Sequence, residues 1–147
     1  SQTHSGYNLY KGDEVEILLD ANLSNDLNTA VLNSDDYQIG LSPGNFGSLD
    51  EAYYRYFPRG YGAYPSGLVV RAAETATGYI LEAEIPWSAF GVNDPYIGKH
   101  FGFSIGISDS DQTGTSSQQS MTSIVSGYKL VNPTTWSTLI LGDAEGK

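Results

Sequence analysis

The chain contains no cysteine, which excludes disulfides, thiolate metal sites and thiol nucleophiles together. Basic side chains are scarce: seven Lys and Arg stand against seventeen Asp and Glu, a formal charge of -10. They form no stripe, so no nucleic-acid partner is expected, because phosphate recognition draws on clustered Lys and Arg. No apolar run approaches the roughly 20 residues of a membrane-spanning helix, and no membrane insertion is expected. The chain starts without a secretory signal, the form expected of the mature part of an exported, extracellular or cell-surface protein. Of the two histidines, His4 and His100, neither has a Ser, Cys or Asp at a catalytic spacing. Glu14 and Glu16, like Glu82 and Glu84, lie two apart on one strand face. Such neighbours are too close and too exposed for the opposed carboxylates of a glycosidase. No enzyme is expected.

What is present is a set of short alternating segments. The 147 residues suit one domain, 1–147, able to bury a core unaided. Val15, Ile17 and Leu19 alternate with Glu14, Glu16 and Leu18, and Tyr37, Ile39 and Leu41 with Gln38, Gly40 and Ser42, the period of half-buried strands. Residues 68–73, 79–85, 101–107, 122–126 and 138–141 read the same way, giving seven strands, with a short helical turn over 49–56. The fold class is all-β, an antiparallel, jelly-roll-like β-sandwich. In the segment from Phe101 to Ser108, Phe and Ile fall on one face and Gly102, Ser104, Gly106 and Ser108 on the other. That second face admits close approach, either by another part of the same domain or by a ligand or partner.

Oxygen-bearing residues cluster in the loops. Asp20, Asn22 and Asp26 leave the first strand at a spacing suited to a hard cation with several oxygen ligands, although the EF-hand loop glycine and closing glutamate are absent. Asp35 with Asp36, and Asp109 with Asp111, form two further pairs. Asx turns and solvated carboxylates are the alternative for all seven.

Between Pro43 and Ser66 lie Phe46, Tyr53, Tyr54, Tyr56, Phe57, Tyr61 and Tyr64 in a Gly/Pro-rich connection, interleaved with Arg55, Arg59, Asp50 and Glu51. Aromatic faces pack on the C–H faces of sugars while charged groups meet hydroxyls, so Tyr53, Tyr54, Arg55, Tyr56 and Tyr61 are candidate carbohydrate contacts. Tyr53 and Tyr56 would share a face of a helical turn. Burial of several rings at the open end of the sandwich is the alternative.

The blocks GYILEAEIPW, GFSIGISDSD and NPTTWSTLIL, in that order after EVEILLD and DDYQIGLSP, resemble the family 9 carbohydrate-binding modules, over roughly residues 10–142. The resemblance implies a non-catalytic, calcium-containing extracellular sandwich that binds polysaccharide or oligosaccharide. It implies structural Ca2+, and by position it adds Arg71 and Gln119 as polar contacts. In the family two Trp side chains clamp a sugar. Here Trp87 and Trp136 fall at packing positions, Leu130 stands at one clamp position, and Tyr128 lies close by. The family's first strands have no counterpart before Tyr10, so a missing N-terminal segment or another copy of the chain is expected to complete the sheet. A self-assembling surface-layer, adhesin or filament subunit is the alternative function.

Overall fold

The structure, a computed structural model, describes residues 2–59, 62–111, 118, 120–127 and 129–146. Within them run eight strands: β1 (Glu14–Asp20), β2 (Asp36–Ser42), β3 (Ala52–Phe57), β4 (Val69–Thr75), β5 (Gly78–Glu84), β6 (His100–Asp109), β7 (Ser120–Ser123) and β8 (Ser137–Ile140). A one-turn helix, α1 (Leu23–Asp26), follows β1, and 3-10 turns occupy Gly6–Lys11, Trp87–Phe90 and Pro133–Thr135. The larger sheet has the order β3-β2-β1-β6-β7, with β8 pairing the first residues of β6, and the β4-β5 hairpin forms a second sheet. All pairings are antiparallel.

Register explains the core. Ile17 lies opposite Ile39 on one side and Ile105 on the other, and Leu19 lies opposite Tyr37 and Phe103, so the alternating apolar residues of three central strands share one face. The hairpin closes over that face with Val70 and Leu81, joined by Leu68, Phe90 and Val92. Trp87 stacks on the fully buried Phe101, with ring centroids 5.2 Å apart. Trp136 is buried too, its indole N–H donating to the Lys129 carbonyl at 3.1 Å.

Two expectations are corrected here. Residues 52–57 form strand β3, not part of a helical turn over 49–56, because the aromatic run pairs with β2 from Ser42↔Ala52 to Gln38↔Phe57 across a bulge at Gln38/Ile39. The strands therefore number eight among the described residues rather than seven. Glu14 and Glu16 are not exposed: both lie inside the second face of the large sheet. That face carries mostly polar residues around the buried Leu18, pairing Glu14 with Ser108, Glu16 with Gly106, Leu18 with Ser104 and Asp20 with Gly102.

The small residues of β6 are covered by the same chain. A Cβ on Gly102 would come 2.9 Å from the Asp20 Cβ, and one on Gly106 would come 2.6 Å from the Met121 Cε. Ser108 donates to the Tyr10 carbonyl at 3.1 Å. The glycine gaps are thus filled by side chains from β1 and β7, which larger residues on β6 would exclude.

Candidate functional site

The aromatic segment acquires its geometry from β3 and from the 3-10 turn at Gly6–Lys11. Such a turn repeats every three residues, so Tyr7 and Tyr10 leave it on the same side and meet the rings of β3. Ring centroids stand 6.0 Å apart for Tyr7 and Tyr54, 5.9 Å for Tyr7 and Tyr56, 5.2 Å for Tyr54 and Tyr56 and 5.6 Å for Tyr54 and Tyr64. Tyr7 is 49% exposed and Tyr64 64%, so the cluster presents ring surface outward. The Arg59 guanidinium lies 5.9 Å from the Tyr7 ring centroid, within cation–π range.

Two recesses open from this cluster. One, of about 340 Å³, is lined by Tyr7, Tyr54, Tyr56 and Arg59. The other, of about 350 Å³, passes Tyr10 to reach Glu16 and Gln38, with Leu130 and Val131 on its far side. Gln38 donates from Nε2 to Glu16 Oε1 at 3.1 Å. Glu14 and Glu16 interact directly, and burial pushes the pKa of both upward. For Glu14 it reaches about 9, from desolvation first and the neighbouring Glu16 charge second. Glu14 Oε1 and Glu16 Oε2 have no donor from any other group, so a proton held between the carboxyls accounts for both.

The sequence-derived contact residues separate into distinct environments. Tyr54 lies in the cluster, and Tyr53 packs against the core, its hydroxyl donating to the Pro65 carbonyl at 3.2 Å. Arg55 is buried, donating from Nε to the Gly62 carbonyl at 2.9 Å and from Nη1 to the Ala89 carbonyl at 3.0 Å, so it ties the loop to the Trp87–Phe90 turn. Tyr56 is buried at the hub of the cluster. Tyr53 and Tyr56 sit on a bulged strand, not on one helical face. Arg71 is exposed on β4, away from these rings in the contacts it makes, and donates to the Val70 carbonyl at 2.7 Å. Tyr61, Gln119 and Tyr128 lie outside the described residues. Tyr7 and Tyr10 are members that the aromatic segment alone does not reveal; their signal is the three-residue spacing before β1.

A second feature forms where β1, α1 and β2 meet. Asp20 ends β1, Asp26 closes α1 and Asp35 precedes β2, and one carboxylate oxygen of each lies within 4.8 Å of the others. Asp36 adjoins them, buried at the first position of β2. Burial raises the Asp20 pKa to about 6 and that of Asp36 to about 7, with neighbouring carboxylates adding to both shifts. Asp26 Oδ1 and Asp36 Oδ1 are buried without a donor. Convergent carboxylate oxygens in need of positive charge match what a hard divalent cation takes. Asn22 is exposed at the start of α1, its backbone N–H donating to Asp20 Oδ1 at 2.8 Å. Asp109 and Asp111 do not join this group. Asp109 is at the far end of β6 from Gly102, the partner of Asp20, roughly 20 Å away at about 3.3 Å per residue.

Among solved structures, the chain is similar to a carbohydrate binding module family 9 from Caldicellulosiruptor kristjanssonii in complex with cellotriose, with a TM-score of 0.70 at 18% identity over 97% of this chain and 65% of that one. It is similar also to a family 9 module from Caldicellulosiruptor kristjanssonii in complex with glucose, with a TM-score of 0.67 at 19% identity over 92% of this chain and 62% of that one. The chain thus spans less than two thirds of the length of these chains, and at such identities the likeness establishes the β-sandwich fold. No curated protein matches it. The family model Carbohydrate family 9 binding domain-like matches residues 1–144, and the chain belongs to that family of non-catalytic carbohydrate-binding modules.

Proposed function

We propose that this chain binds oligosaccharide or polysaccharide through its tyrosine face, as a non-catalytic extracellular module stiffened by calcium. The observation that carries this reading is the contiguous cluster of Tyr7, Tyr54, Tyr56 and Tyr64, open at Tyr7 and Tyr64 and flanked by Arg59. Sugar C–H faces would pack on Tyr7, Tyr54 and Tyr64, and Arg59 would meet hydroxyls at the rim. Tyr56 and Arg55 would act beneath that surface by holding β3 and its loop in place. Asp20, Asp26 and Asp35 would hold the ion, with Asp36 beside them, joining β1, α1 and the start of β2 without taking part in chemistry.

Affinity electrophoresis through gels containing soluble β-glucans or xylan tests the reading. Tyr54→Ala and Arg59→Ala are expected to reduce retardation by roughly three- to tenfold in affinity, while Glu84→Gln, exposed on β5 of the second sheet, leaves it unchanged. Unaltered retardation in both tyrosine-face variants would remove this surface as the binding site.

A further inference from the structure

At the β1–α1 corner lies a groove of about 520 Å³ that shares no lining residue with the tyrosine recesses. One wall comes from Asn22, Ser24 and Leu27, and the other from Tyr96, Lys99 and His100. Tyr96 is 60% exposed, as is Leu27, so an aromatic face and an aliphatic side chain are both available to a ligand. The Lys99 ammonium is held 5.8 Å from the Tyr96 ring centroid and 5.2 Å from that of Phe101, which keeps a hydrogen-bond donor beside the ring. Asn22, Ser24 and His100 are exposed and add an amide, a hydroxyl and an imidazole.

Both walls are pinned by backbone hydrogen bonds. Gly98 donates to the Leu141 carbonyl at 2.7 Å, Leu141 donates back to the Lys99 carbonyl at 3.0 Å, and Lys99 closes the turn onto the Tyr96 carbonyl at 3.1 Å. Across the groove, Ala21 donates to the Asp35 carbonyl at 2.8 Å and Asn25 to the Asn22 carbonyl at 2.9 Å. A ligand entering here would therefore meet a surface already ordered, which lowers the cost of binding.

We propose that this groove is a second carbohydrate contact, in which a pyranose packs its C–H face on Tyr96 while its hydroxyls bond to Lys99, His100, Asn22 and Ser24. The chemistry of the walls selects among ligands. Phosphate or another polyanion would be opposed by the Asp20, Asp26 and Asp35 carboxylates gathered at the corner of β1, α1 and β2 and by the net charge of -10. An apolar peptide would leave the four polar side chains unpaired on binding. A neutral polyol with an apolar face satisfies both the ring and the donors. Two separated contacts on one module would strengthen retention on a polymer through effective concentration.

Amide shifts in a two-dimensional NMR titration with glucose, cellotriose and xylotriose test this without reliance on the tyrosine face. The expected result is perturbation of residues 22–27 and 96–100 by at least one of these sugars, persisting in Tyr54→Ala. Tyr96→Ala should weaken the groove response roughly fivefold while Tyr96→Phe retains it, both with unchanged melting temperature because the side chain is mostly exposed. Absence of groove shifts with all three sugars, or groove shifts that survive Tyr96→Ala undiminished, would overturn the proposal. Failure of the tyrosine-face reading appears separately, as residues 53–59 that do not respond.

Discussion

The Tyr56 hydroxyl donates to Glu14 Oε2 at 2.8 Å inside the second face of the large sheet, and the same hydroxyl accepts the backbone N–H of Tyr10 at 2.9 Å. One oxygen therefore joins β3, β1 and the turn that carries Tyr7. Tyr56→Phe is expected to lower stability by about 1–3 kcal/mol, because it strands a buried acceptor and a backbone donor together. Urea unfolding measures the loss. It should also weaken sugar binding at the tyrosine face by disordering Tyr7 and Tyr10; unchanged stability would show that the hydroxyl is dispensable.

The Glu14 and Glu16 pair makes stability depend on pH in a defined direction. Its carboxyls are raised from 4.5 in their ordinary state, Glu14 to about 9, chiefly by burial. Between those values the folded chain binds more protons than the unfolded one, so this contribution is present below pH 4.5 and is lost as pH rises toward 9. Glu14→Gln keeps a donor toward Glu16 without a charge and is expected to flatten the dependence. At mildly alkaline pH it should stabilise by about 1–2 kcal/mol. Melting curves of both proteins across this window decide it, and parallel pH profiles would contradict the shared proton.

Cation removal should loosen the corner built by Asp20, Asp26 and Asp35. If the carboxylates hold calcium, millimolar-range calcium raises the melting temperature and chelation reverses the change, by mass action on the folded state. Asp26→Asn should cut that gain by more than half, since Asp26 Oδ1 is one of the buried oxygens without a donor. Equal melting temperatures with calcium and with chelator would leave the cluster as a structural polar corner.

Gly40 reports how tightly the acid pair is packed. A Cβ there would fall 2.4 Å from Glu14 Oε2 and 2.7 Å from the Tyr56 ring. Gly40→Ala is expected to cost roughly 1–3 kcal/mol through overpacking alone. Denaturant midpoints with an unchanged slope test this, and a neutral substitution would mean that Glu14 has room to move.

Much of the sandwich was legible because each strand carries its own evidence. The period of two in β1, β2 and β6 names both the element and its inward residues, and Ile17, Ile39 and Ile105 do meet on one face. β3 was not legible, since AYYRYF has no alternation and owes its strand form to pairing with β2. The tyrosine face was half legible: Tyr54 and Tyr64 stand in an aromatic run, whereas Tyr7 comes from a turn distant in sequence. Of the acidic residues, the sequence named Asp20 with Asp26 and Asp35 with Asp36 as separate groups, and chain reversal before β2 brought Asp35 to Asp20 and Asp26.

The residue pattern by itself determined an all-β class, the composition of the core, and a protein without thiol chemistry or a basic surface, because periodicity and composition are local properties of the chain. Only the tertiary structure decided that Glu14 and Glu16 lie inside rather than in solvent, that Arg55 and Tyr56 are buried and hydrogen-bonded to other elements, and that Tyr96 stands across a groove from α1. The reason is physical: which face of a strand meets solvent depends on what packs over it, and those covering segments are far away in sequence.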